Sequence, residues 1–371
     1  MDLFCPRSNC PNHFPDSTSG WFDYHGTYTG SGAVRQRYRC KHCGKTFSER
    51  TLSIDYWTHR TIDYRELITH FTSGYSVRGL ARYFHTTTHT IQNRFSRLAR
   101  NIMALHTSLH HTLKLNEQLV ADGLEGFCVS QDFPNNIHLL AGKRSQFLYG
   151  LNYALMRRKG RKTEEQKNRC EKLYPRVDFT RHPIKRTFKE LLVQLTNVAH
   201  RSVSVQLYTD ERNQYRFALD EDPFTCQLRV HGNFSHRTVN STAPRTLAND
   251  LFSVNYLDRE VRKDVAEFRR ETVCFGRNVT NSLERLCVYF FHHNFIKRYR
   301  IGVTGENRTH AEVAGLMKKT VKRIRGNVMR NRSFYHDGSV TYGGFFDELW
   351  RRELPTPLKN EDEYLPAYAI A

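Results

Sequence analysis

The sequence predicts a multidomain chain of the α+β or α/β class: a small metal-stapled ribbon, a helix-turn-helix unit, and a larger domain built on a mixed sheet. Three observations predict it. Two close cysteine pairs open the chain; the apolar period becomes helical from Thr58 to about residue 112; beyond that, short apolar runs ending in aspartate or glycine alternate with an amphipathic stretch. With 371 residues, 39% hydrophobic and 12% aromatic, the chain has enough apolar surface for sizeable cores. No run approaches the ~20 apolar residues of a membrane span, and the first thirty residues lack a signal peptide's pattern, so a cytoplasmic protein without a membrane partner is expected.

The formal charge of +20 points to a polyanion. Its distribution sharpens this: residues 1–112 carry 14 Lys/Arg against 7 Asp/Glu, and residues 296–332 carry 11 against 2. A basic surface kept for solubility is the competing explanation.

In the first unit, residues 1–52, Cys5 and Cys10 form C-x4-C and Cys40 and Cys43 form C-x2-C. Two such pairs can bring four thiolates to one tetrahedral Zn2+, which suits a segment too short for a core of its own. Gly44 supplies the tight turn of a metal knuckle. "RQRYRC" sets Arg35, Arg37 and Arg39 on alternate positions, hence on one face of a strand able to follow phosphates.

The second unit, residues 53–112, shows three helical stripes. Asp63 with Glu66 forms a capping pattern before Tyr64, Leu67, Ile68 and Phe71. Ser76 caps Val77, Leu80, Ala81 and Phe84. Ile91, Phe95, Leu98, Ile102 and Leu105 line the third helix. That helix carries Thr88, His89, Gln92, Asn93, Arg94 and Arg97 at its start and on its polar face, groups able to meet base edges and phosphates of double-stranded DNA.

The third unit, residues 113–301, opens with "EQLVADGLEGF", "NIHLLAG" and "QFLYGLNYALM", three strands. A charged stretch, 157–182, is a helical insertion or a loop. An amphipathic helix marked by Ile184, Phe188, Leu191, Leu192, Leu195 and Val198 leads into "SVQLYTDE". Asp122 and Asp210 each close a strand. Taken singly, each is explained by turn chemistry; if the first and fourth strands are neighbours, the two carboxylates share a cation, as metal-dependent phosphodiester hydrolysis requires.

The four-cysteine ribbon ending "RYRCKHCGKTFSERT", the helix-turn-helix, the aspartates in "VADG" and "YTDE", and a late "NSLERLCVYFFHHNF" together resemble a bacterial insertion-sequence transposase of the DDE type. The resemblance implies a ribonuclease H-like catalytic domain, Mg2+ or Mn2+ held by Asp122, Asp210 and a third acid, element ends and target DNA as substrates, assembly of copies on DNA, and a place in the nucleoid. The third acid falls on Glu284, whose row with Val288, Phe291 and Phe295 would turn the carboxylate toward the sheet; Glu260, Glu267 and Glu271 compete for it, and a helix-capping role with Asn281 as N-cap is the bland alternative. The long stretch from Asp210 to Glu284 implies an inserted subdomain around 211–275. Residues 302–371 read as a basic helical extension, with Lys318, Lys319, Lys322 and Arg323 as general DNA contacts. Two other classes compete: a transposase-derived regulator that binds DNA without cutting it, and a nuclease or resolvase of the same fold.

Overall fold

The computed structural model describes residues 3–16, 19–30, 33–199, 204–269, 272–332 and 344–359. The chain begins with an antiparallel three-stranded sheet, β1 (Phe22–Gly30), β2 (Ala33–Cys40) and β3 (Thr46–Ser48), closed by the single turn α1 (Glu49–Leu52). Its core is small and separate: Phe4, Trp21, Tyr38, Phe47 and Leu52 packed beside the cysteines. So small a core needs a staple.

Three helices follow: α2 (Tyr64–Thr72), α3 (Val77–Tyr83) and α4 (Thr88–Thr112). Each starts on a side-chain cap. Asp63 accepts from the N–H groups of Arg65 and Glu66, Ser76 from Gly79, and Thr87 from Thr90. Those caps are local, so the sequence locates these helices to within a residue or two.

A five-stranded mixed sheet forms the larger body: β4 (Leu119–Cys128), β5 (Ser130–Gly142), β6 (Leu148–Leu155), β7 (Val205–Asp210) and β8 (Phe234–Val239), in the order β6-β5-β4-β7-β8. Strands β4, β5 and β6 are antiparallel and joined by short turns. Strands β4, β7 and β8 are parallel, which demands crossovers. Helix α5 (Glu164–Leu173), from the charged stretch, and α6 (Pro183–Ala199) fill the first crossover; α7 (Asn213–Asp220) and α8 (Pro223–Val230) fill the second. Consecutive residues of a strand face opposite sides. His138 of β5 meets Thr187 and Phe188 of α6, whereas Leu139 lines a cleft with Val254 of α9 (Phe252–Asp264), so α6 and α9 cover opposite faces.

This corrects one expectation. The stretch 211–275 is no inserted subdomain: it holds α7 and α8, supplies the fifth strand of the sheet, and returns as α9 against β4 and β5. The strand was missed because Phe234, His236 and Thr238 alternate with polar residues over only six positions at the sheet edge.

Helix α10 (Val279–Phe295) is buried along nearly its whole length, and α11 (His310–Val313), α12 (Lys318–Arg330) and α13 (Phe345–Arg351) complete the described residues. One continuous core runs from Ile54 to Leu358 through the three-helix unit, the sheet and the C-terminal helices. The three units expected beyond residue 52 are thus packed as one body. No helix among the described residues is long and apolar enough to cross a membrane.

Candidate active site, metal centre and nucleic-acid interface

The parallel pairing of β4 with β7 matches Val120 with Tyr208. Asp122 and Asp210 each lie two residues further on, so they share a face on neighbouring strands about 4.8 Å apart. Both line a cleft of about 510 Å³, together with Glu125 of β4 and Asn255 and Asp258 of α9. Asp122 accepts a hydrogen bond from the Gly123 N–H at 2.7 Å. Burial, reinforced by the Asp210 and Asp258 carboxylates, outweighs that bond and the Arg212 guanidinium and pushes the Asp122 carboxyl up to about 6. The mouth is basic: Arg212 pairs with Glu125 at 3.1 Å and lies 3.8 Å from Asp210, and Arg262 pairs with Asp258 at 2.7 Å.

Glu284 lies elsewhere, which corrects the expected third acid. It is 1% exposed, and its carboxylate is met by Gln92 Nε2 at 2.9 Å, Ser96 Oγ at 2.6 Å and Arg352 Nη1 at 2.6 Å. Helix α10 packs on α4, and the row containing Glu284 turns toward α4 instead of the cleft. The bland alternative also fails in detail. The N-cap is Asn278, accepting from the Asn281 N–H at 2.9 Å, so Glu284 falls in the second turn. Among the competing acids, Glu260 is held by Lys297 at 2.5 Å, and Glu267, though at the cleft's edge, is chelated by Arg285. Glu271 is outside the described residues. The further carboxylate of α9 that lines the same cleft as the pair is Asp258, four residues from a well-paired Arg262 on a helix whose acid-base mixture reads in sequence as a solvated face; the three acids do not converge as a metal-ligand group. Only recognition of β8 as the fifth strand would have singled out the helix after it.

In the ribbon, Cys5, Cys10, Cys40 and Cys43 converge, with all four sulfur atoms within 4.8 Å of one another. Cys5 and Cys43 are 3.4 Å apart, and Cys10 and Cys40 are 3.7 Å apart. A tetrahedral zinc with Zn–S bonds of about 2.3 Å sets sulfurs about 3.8 Å apart, so the cluster could hold a zinc ion. Burial opposes ionisation of Cys5, Cys10 and Cys40. It raises the Cys5 and Cys10 thiols, while at Cys40 the Asn12 amide at 3.3 Å and nearby backbone N–H groups overcome it and bring the thiol down to about 6.

The expected DNA-contacting residues divide. On β2, Arg37 and Arg39 are exposed and Arg35 is half-buried, with Arg37 over the Tyr28 ring. Thr88, His89 and Asn93 are exposed at the start of α4, as are Lys318, Lys319, Lys322 and Arg323 on α12. Three others face inward and correct the sequence reading. Gln92 is bound to Glu284 and Arg285, Arg94 donates to the Arg60 carbonyl at 2.5 Å, and Arg97 donates to the Ile54 and Tyr56 carbonyls at 2.8 and 2.7 Å. Their polar stripe meets the 54–60 segment and α10, a packing that no local pattern announces. No protein-family model matches the chain, and no curated protein resembles it closely enough to supply a family.

Proposed function

We propose that this protein is a DNA transposase of the DDE type, with Asp122, Asp210 and Asp258 as its acidic trio. The observation that carries the reading is the side-by-side placement of Asp122 and Asp210 on parallel β4 and β7, with Asp258 of α9 across the same cleft. The strand order, three antiparallel strands followed by two parallel ones, agrees with the ribonuclease H-like fold that the sequence resemblance implies. The donor type suits a hard divalent cation, oxygen ligands only, in a cleft where like charges already burden Asp122; as they stand, though, only the cysteines among the described residues converge as a metal-ligand group, so Asp258 has to leave Arg262 and approach the pair. Asp122 and Asp210 would hold Mg2+, with Asp258 as the third ligand. Bound there, the ion supplies Lewis-acid stabilisation of the phosphodiester and a water ionised near neutral pH.

The chain's own groups do the rest. Arg212 and Arg262 sit at the mouth, where they can neutralise the phosphates flanking the scissile bond. Releasing Asp258 from Arg262 on DNA binding would transfer that guanidinium to a phosphate and free the carboxylate. In the first step water attacks phosphorus and a 3′-hydroxyl leaves at the element's end. In the second, that 3′-hydroxyl attacks a target phosphodiester and a target 3′-hydroxyl leaves. The exposed cations of β2 and α12 supply sequence-independent grip on DNA, and copies of the chain assemble on the two ends.

The test is incubation of the purified chain with Mg2+ and duplexes bearing the sequences that flank its coding region. Cleavage followed by joining is the expected result. Cleavage without joining assigns a nuclease or resolvase, and end-specific binding without cleavage assigns a regulator.

A further inference from the structure

The segment between the ribbon and α2 carries a tryptophan in an unusual setting. Trp57 is 88% exposed, the most exposed large aromatic among the described residues, and it adopts a left-handed backbone with φ of 56°. Among the described residues its ring packs on no other ring and its indole N–H has no acceptor. Single exposed apolar side chains are ordinary; here the backbone on both sides of the residue is tied down. Arg97 donates to the carbonyls of Ile54 and Tyr56 and lies over the Tyr56 ring at 4.1 Å. Arg94 donates to the carbonyl of Arg60, and Arg60 in turn to that of His85 in the α3–α4 turn. The segment is therefore clamped to the helix-turn-helix, with the indole left outside.

Trp57 also borders a groove of about 760 Å³ that runs to the start of α4. Its polar lining is cationic or hydrogen-bonding, with Arg60, His85, His89 and Asn93 among it, and no carboxylate takes part. Such a lining repels an acidic protein face less than it repels a basic one, but the combination of a rigid aromatic plane with cations and hydroxyls matches nucleic acid best: phosphates meet the cations and a base meets the ring.

We propose that Trp57 stacks on an unpaired base of DNA seated in this groove, so that the helix-turn-helix unit grips DNA where its strands are opened. Stacking needs a base face, which an intact duplex hides, so the residue discriminates opened from closed DNA. The inference rests on the DNA-acting reading above, and goes beyond it by assigning a base-stacking residue and a preferred DNA form.

The test compares a mixed-sequence duplex with the same duplex carrying a short single-stranded gap. Wild-type chain binds the gapped form more tightly, and Trp57→Ala weakens that binding about tenfold while changing intact-duplex binding by under about threefold; Trp57→Phe restores most of it. Acrylamide quenching of the intrinsic fluorescence, which Trp57 dominates by exposure, falls when gapped DNA is added. Equal binding of the gapped form by wild type and Trp57→Ala overturns the proposal and leaves the transposase reading standing. Absence of binding to either DNA overturns both.

Discussion

Glu284, fully buried in the second turn of α10, and Asp122, half-buried within β4, are carboxylates of one packed body, and the molecule treats them in opposite ways. Glu284 receives donors from α4 and from Arg352 just beyond α13, so its charge is compensated by the protein itself. Asp122 accepts from one backbone N–H and faces the Asp210 and Asp258 carboxylates, which together with burial outweigh the nearby Arg212 guanidinium. Burial alone therefore does not mark a catalytic acid. A carboxylate that keeps its partners holds helices together, and one facing like charges is the candidate for a cation ligand. The cysteine cluster is the extreme case, four sulfurs converging in a unit with almost no other core.

The largest effect expected from this contrast is at the cysteines. Purified chain should carry one zinc per molecule, and Cys40→Ser or strong chelation should unfold the ribbon while the main core stays folded, because metal binding and folding are one process in so small a unit. Metal analysis alongside hydrogen exchange reads both parts, and zinc-free protein with a protected ribbon would falsify the assignment. Next come the cleft acids. Asp122→Asn, Asp210→Asn or Asp258→Asn should each lower Mg2+-dependent strand cleavage by on the order of a thousandfold, as expected for several kcal/mol of lost charge stabilisation. Glu284→Gln should stay within about tenfold of wild type. Inactive Glu284→Gln beside active Asp258→Asn would reverse the roles of the two sites.

A smaller effect separates the sites by stability. Glu284→Leu removes the acceptor that Ser96, Gln92 and Arg352 share, leaving the Arg352 charge uncompensated there, and should cost about 3 kcal/mol in urea unfolding. Unchanged stability would show that the network contributes nothing. The smallest effect is the pH response of metal-free protein. The Asp122 carboxyl in the folded chain is raised from 3.8 to about 6, so folding is penalised when the group is ionised: the penalty is absent below 3.8, grows between those values, and is complete above 6. Asp122→Asn should therefore stabilise the metal-free protein by on the order of 2 kcal/mol above that window and by nothing below it. A gain that persists in acid would assign it to packing instead of charge, and saturating Mg2+ should abolish it by favouring the ionised wild type.

The three-helix unit and the first four strands of the sheet were legible because their signals are local. Caps at Asp63, Ser76 and Thr87 act over three residues, cysteine spacing limits where a metal can sit, and Asp210 ends its strand whatever that strand pairs with; Asp122, expected to close the first strand, is instead the fourth residue of a β4 that runs on to Cys128 along its β5 partner. The same holds for the ribbon's alternating arginines, although which of them stays exposed was settled by the neighbouring strand. The edge strand β8 was hidden because a half-exposed strand of six residues has little apolar alternation to show.

By itself, then, the sequence determined the two cysteine pairs, the basic character of the chain, the three-helix unit, and Asp122 and Asp210 as acids of two strands. Only the tertiary structure decided that Asp258 and not Glu284 shares their cleft, and that Arg94 and Arg97 clamp the chain around Trp57 instead of facing outward. The physical reason is range. Helical and strand periods say which residues share a face, but the partner of that face is chosen by burial summed over elements far apart in sequence: α10 meets α4 across nearly two hundred residues, and Glu284 follows the helix it sits on.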